Sequence, residues 1–316
     1  MKLISFINLG LLLFTSIFFT GCQGNKNLSP GEGFIDVDGG KVWYSIVGEG
    51  KKTPLLVLHG GPGIPSYYLK SLGALGKDRP VIFYDQLGCG KSDRIRDTSL
   101  MNVEHFVKEL GTVVNHLGLK NYYLFGHSWG TMLGTDYYLA HPDGIKALIL
   151  SSPALSISRW MTDAGDLIST LPDSIQQVIF MNEKGRTYDA PDYQQAVMYY
   201  YHLFLSRKDP WPADLDSSFA QVGENVYNHM GGPSEFTVTG SLRNYDRTNR
   251  LGEIKVPTLF IAGEYDEAKP TTVEYYQSLV PGAKFVLIYD SGHLTTIDQP
   301  EKNNQAVIDF LNEIEK

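Results

Sequence analysis

Ser128 stands between two glycines in Gly126-His127-Ser128-Trp129-Gly130, the G-x-S-x-G spacing of a serine carried on a sharp strand-to-helix turn. A serine hydroxyl attacks a carbonyl only when a base takes its proton, and the base must be oriented by an acid. For a serine in this setting the acid and then the histidine follow in the chain, on loops after strands. Gly263-Glu264-Tyr265-Asp266 follows one late apolar run, and Ser291-Gly292-His293 follows the next. Asp266 is expected as the acid, with Glu264 and Glu267 as local rivals, and His293 as the base. The other histidines, His59, His105, His116, His127, His141, His202 and His229, follow no late strand. An oxyanion needs two backbone N–H donors. Trp129, just after the nucleophile, and Gly61, within His59-Gly60-Gly61-Pro62-Gly63, are the candidates.

The elements that must place these groups are short apolar strands alternating with helices. Strands are predicted at 41–47, 54–58, 80–84, 122–125 and 146–151, and helices at 103–117 and 131–140. That alternation means βαβ units and a mostly parallel sheet with helices on both faces. After Pro153 the rhythm stops, and residues 155–245 carry amphipathic helical segments but no convincing buried strand. Strands return at 256–262 and 284–289, and a closing helix spans 303–314. The expected organisation is an α/β core of residues 34–154 and 246–316, with 155–245 a helical cap over the strands' C-terminal edge.

Among the 316 residues, 27 basic against 35 acidic side chains give a net charge of −8, which argues against a nucleic-acid partner. Two cysteines make neither a disulfide scaffold nor a Cys-rich metal site. With no zinc motif and no nucleotide fingerprint, no metal or organic cofactor is expected. Met1 and Lys2 precede an apolar run to Thr20, in the manner of a secretory signal. Phe19-Thr20-Gly21-Cys22 resembles a bacterial lipobox, which implies removal of residues 1–21, lipid on Cys22 and a polar tether at 22–33. The chain would then sit at a membrane of the bacterial cell envelope; plain secretion, a periplasmic location and an uncleaved anchor are the alternatives. Cys89 would be left as a lone thiol.

His59–Gly63, then Asp85-Gln86-Leu87-Gly88-Cys89-Gly90-Lys91-Ser92, then Gly126–Gly130 together resemble the proline iminopeptidases of the α/β-hydrolase fold. Asn225-Val226-Tyr227, Met230–Phe236 and Gly263–Pro270 are similar to the tricorn-interacting aminopeptidase branch. The resemblance implies a serine aminopeptidase that removes an N-terminal residue, preferentially proline, from short peptides with a free N-terminus. It further implies that Glu235 and Glu267 bind the substrate's amine, with Tyr227 assisting, and that Asp85 holds its loop. Another hydrolase on the same scaffold, such as an amino-acid amidase, esterase or lactonase, is the alternative, and a non-catalytic binding lipoprotein is the rival from another class.

Overall fold

The computed structural model describes residues 28–316, so the signal, Cys22 and the first part of the tether lie outside the described residues. Within them one sheet contains β1 (Gly31–Val37), β2 (Gly40–Val47), β3 (Leu55–Leu58), β4 (Val81–Tyr84), β5 (Tyr122–His127), β6 (Ile145–Ser151), β7 (Thr258–Gly263) and β8 (Lys284–Ile288). The strand order is β1-β2-β4-β3-β5-β6-β7-β8. β2 runs antiparallel to both neighbours, and the pairings from β4 across to β8 are parallel. The core helices before the insertion are α1 (Val103–Leu117) and α2 (Trp129–Ala140). Between β6 and β7 come α3 (Ile157–Ile168), α4 (Asp173–Gly185), α5 (Pro191–Phe204), α6 (Ala213–Ala220) and α7 (Glu224–Met230). The chain then adds α8 (Pro270–Leu279), α9 (Thr295–Asp298) and α10 (Pro300–Ile314).

Alternation along the strands sends side chains to two separate cores. Leu56 and Leu58 of β3, Tyr122 and Leu124 of β5, and Phe260 of β7 pack with α1, α2 and α8. Leu55, Val57, Tyr123, Phe125 and Leu259 pack on the other face with α10 and the 3₁₀ segment Ser66–Lys77. Both faces are covered, so neither set can be polar, and each strand reads as an unbroken apolar run. Truncating one such side chain, as in Phe125→Ala, would cost about 3–5 kcal/mol. Helix α1 is bounded by its own sequence: the Asn102 side chain accepts from the His105 N–H at 2.9 Å, and Gly118 closes it at φ 65°.

Two features depart from the sequence reading. β1 begins at Gly31, inside the stretch read as tether, and only Ile35 on it is buried, so its hydrophobic signal is faint. The 3₁₀ segment Ser66–Lys77 was not anticipated at all. In the insertion, Ile179, Tyr193, Ala196, Tyr200, Phe204 and Phe236 form a small core of their own. Ser156 and Asp246 pair in an isolated antiparallel bridge where the chain leaves and rejoins the sheet. Among the described residues no helix is long and apolar enough to cross a membrane.

Candidate active site

β5 ends at His127, α2 begins at Trp129, and Ser128 lies between them at φ 53° and ψ −121°. This positive φ is uncommon for a residue with a Cβ and is held by the packing around it. The flanking glycines are required by contact. A Cβ on Gly126 would lie 2.4 Å from the Gly130 carbonyl oxygen, and one on Gly130 would lie 2.3 Å from that of Leu58. The Ser128 N–H donates to the Ser151 carbonyl at 3.1 Å, tying the turn to β6.

Gly61, at φ 107°, faces the same space as Ser128 from the end of β3. Its neighbour His59 is fully buried and accepts the Gln86 N–H on Nε2 at 2.9 Å. Burial holds the His59 imidazole below its ordinary pKa, so it is a neutral structural ring. The Gln86 side chain donates to the His59 carbonyl at 3.1 Å and accepts from Trp129 Nε1 at 2.8 Å. The loop after β4 thereby fixes the Gly61 segment relative to the start of α2. Asp85 supports that loop, accepting from the Ser66 N–H at 3.0 Å and the Lys91 N–H at 3.0 Å.

Asp266 and His293 come from the loops after β7 and β8. His293 Nδ1 lies 2.7 Å from Asp266 Oδ1, which assigns the proton to Nδ1 and leaves Nε2 as the acceptor. The Asp266 carboxylate also accepts from the Gly263 N–H at 3.1 Å and the Ala268 N–H at 2.9 Å. Burial disfavours charge on His293, but Asp266, Glu267 and Glu235 together carry its pKa above the ordinary value. The rival Glu264 instead accepts the Asp290 N–H at 3.1 Å on an exposed edge. Glu267 lines the cavity.

That cavity is lined by Gly61, Ser128, Trp160, Glu235, Glu267 and His293. A second space shares Gly61, Ser128, Trp160 and Glu235 and adds the apolar walls Met132, Ala154, Ile157, Val238 and Leu242. Glu267 is only 2% exposed, and its Oε1 is buried without a hydrogen-bond partner. Burial, reinforced by Glu235 and Asp266 and opposed by His293, pushes its pKa up to about 8. Glu235 is raised by burial too, and its carboxylate accepts from the Tyr227 hydroxyl. Burial and these carboxylates hold the Tyr227 phenol far above its usual pKa, so it stays a donor.

Four supporting residues escaped the sequence reading. Ser152, at φ 49°, places Oγ 2.7 Å from Asp266 Oδ2 and 2.8 Å from the His293 carbonyl. Tyr68 Oη accepts the Gly60 N–H at 2.8 Å and lies 2.8 Å from His127 Nδ1, while His127 Nε2 lies 3.0 Å from the His293 carbonyl. Asp298 accepts the Gly292 N–H at 2.7 Å and the Ser206 hydroxyl at 2.7 Å, joining the His293 loop to the end of α5. Glu183 on α4 accepts from Tyr193, Ser234 and Thr237, two of which flank Glu235. A polar residue just past a strand's C-terminal end, as Ser152 is after β6, was the one signal available in sequence.

Residues 53–300 match the model of the alpha/beta hydrolase fold family. A proline iminopeptidase of Heyndrickxia coagulans is 45% identical over 285 residues, covering 90% of this chain and 99% of that protein. The crystal structure of a proline iminopeptidase from Mycobacterium smegmatis matches with a TM-score of 0.84 at 32% identity, over 90% of this chain and 98% of that one. The crystal structure of VinJ matches with a TM-score of 0.87 at 32% identity, over 90% of this chain and all 100% of that one. With a strained serine at the end of β5, a histidine–aspartate pair beside it and relatedness along nearly the whole described length, this chain belongs to the proline iminopeptidase family of α/β hydrolases.

Proposed function

We propose that the protein is a serine aminopeptidase that releases one N-terminal residue, preferentially proline, from short peptides. The observation that carries this reading is the pair of carboxylates, Glu235 and Glu267, in the cavity that also holds Ser128 and His293. An internal peptide nitrogen would leave both acids without a cationic partner, whereas a terminal ammonium satisfies them. Tyr227, bonded to Glu235, keeps that carboxylate aimed.

In this reading Ser128 attacks the first carbonyl as His293 Nε2 takes its proton. Asp266 holds the imidazole in the required tautomer and stabilises the imidazolium. The Gly61 and Trp129 amides receive the oxyanion; Trp129 opens α2, where first-turn N–H groups lack intrahelical partners. His293 then protonates the leaving amine, and water, activated by the same base, hydrolyses the acyl-enzyme. The apolar walls Met132, Ile157, Trp160 and Leu242 suit a compact ring such as proline's. Residues 155–245 act as the cap that carries Glu235.

A panel of aminoacyl anilides tests this. Prolyl anilide should be cleaved fastest, and Ser128→Ala should lower kcat by about 10⁴-fold or more. Hydrolysis surviving that substitution would remove Ser128 from the mechanism.

The envelope location is part of the proposal and rests on residues 1–22. Metabolic labelling with a fatty acid should mark the wild type and not Cys22→Ser. Equal labelling of both would remove the anchor.

A further inference from the structure

We infer that a groove among the insertion helices receives the part of the substrate that follows the scissile bond, and that it takes an uncharged apolar or aromatic residue there; this rests on the aminopeptidase reading above. The groove opens between α5, α6 and α7. Ile64, Leu205, Phe219 and Glu235 line both it and the catalytic cavity, so the two adjoin.

Direction follows from the base. The carbonyls of Phe204 and Leu205 accept from the His293 and Leu294 N–H groups at 2.7 and 2.9 Å. The groove's inner rim and the proton donor to the leaving nitrogen are thus one structural unit. A leaving amine protonated by His293 departs past Leu205, and the rest of the peptide is already in the groove.

Its chemistry follows from the lining. Tyr201, Trp211 and Phe219 form an aromatic floor, with Trp211 and Phe219 stacked at 5.4 Å and 22°. Among the described residues no lysine, arginine or histidine lines it; its charged members are Glu224, exposed at the outer rim, and Glu235, which the aminopeptidase reading gives to the substrate's ammonium. An acidic second residue, or the free carboxylate of a dipeptide, would enter a largely apolar surface whose charged lining residues are acids. An aromatic side chain would bury its ring against the floor.

The test measures kcat/KM for prolyl-phenylalanine amide, prolyl-lysine amide, prolyl-aspartate amide and prolyl-phenylalanine free acid, each relative to prolinamide. The expected order is phenylalanine, lysine, aspartate, with the first and last separated by about tenfold or more, and the amide above the free acid. Met198 lines the groove and is 38% exposed, so Met198→Lys should fold and raise the aspartate-to-phenylalanine ratio severalfold. Trp211→Ala should lower the phenylalanine-to-prolinamide ratio. Equal ratios for the second residues, or ratios unmoved by Met198→Lys, would overturn the groove assignment while leaving aminopeptidase activity intact. Failure to cleave every member, prolinamide included, would overturn both.

Discussion

Ser152 Oγ lies 2.7 Å from Asp266 Oδ2, on the opposite carboxylate oxygen from the one that meets His293. Asp266 is therefore gripped on both oxygens, and the same hydroxyl lies 2.8 Å from the His293 carbonyl. Ser152→Ala would leave a buried carboxylate oxygen with one donor fewer. We expect kcat to fall about tenfold with KM little changed, because the loss acts on the base's orientation rather than on substrate contacts. Steady-state kinetics decides it; a rise in KM alone would place Ser152 elsewhere.

Glu183 is argued to act through Glu235. It accepts from Ser234 at 2.6 Å and from Thr237, the two residues that close the small bridge around Glu235. Glu183→Ala should raise KM for free-amine substrates about tenfold, with a smaller change in kcat. Glu183→Gln keeps an acceptor and should recover much of the loss. A fall in kcat at constant KM, equal in both variants, would contradict this.

The pH profile follows from two groups raised together. His293 acts as a base only above its elevated pKa, and Glu267, at about 8, is ionised only toward alkaline pH in the free enzyme. Activity on free-amine substrates should therefore rise from pH 6 toward about 8. Removing one negative charge beside His293, as in Glu267→Gln, should move the acidic limb of kcat to lower pH, since Glu267 helps to raise the imidazole. An unshifted or upward-moving limb would refute the coupling.

Glu109 gives a stability prediction apart from catalysis. It is 2% exposed on α1, accepts the Leu87 N–H at 3.2 Å, and its Oε1 has no partner. Burial pushes its pKa up to about 8 from 4.5. Protons bind the folded form more tightly, so this contribution is complete below pH 4.5 and is lost as pH rises through 8. The loss is about 1.4 kcal/mol per pH unit across that window. Glu109→Gln should flatten the fall of Tm between pH 6 and 8.5; an unchanged slope would exclude Glu109 as its source.

What the sequence showed depended on whether the constraint was local. The elbow was legible because a Cβ on Gly126 or Gly130 would come within 2.4 or 2.3 Å of a backbone oxygen, a demand written into adjacent letters. β3, β5 and β7 were legible because two covered faces leave no place for polar residues. β1 was not, since one buried side chain, Ile35, makes no pattern. Asp266 was the expected acid, but Glu264 and Glu267 stayed as rivals because spacing does not say which carboxylate turns inward. Tyr68, Glu183 and Asp298 were invisible for another reason: each is a single polar letter whose partners include residues 51 to 92 positions away.

The measurement that bears most directly on the central claim is kcat/KM for prolyl anilide against N-acetylprolyl anilide, in the wild type and in Glu235→Gln and Glu267→Gln. With two acids reserved for an ammonium, acetylation should lower kcat/KM by about 10³-fold or more in the wild type. Each substitution should shrink that ratio by at least about tenfold. Equal turnover of the two anilides by the wild type would contradict the account, because the paired carboxylates beside Ser128 would then have no part in choosing the substrate.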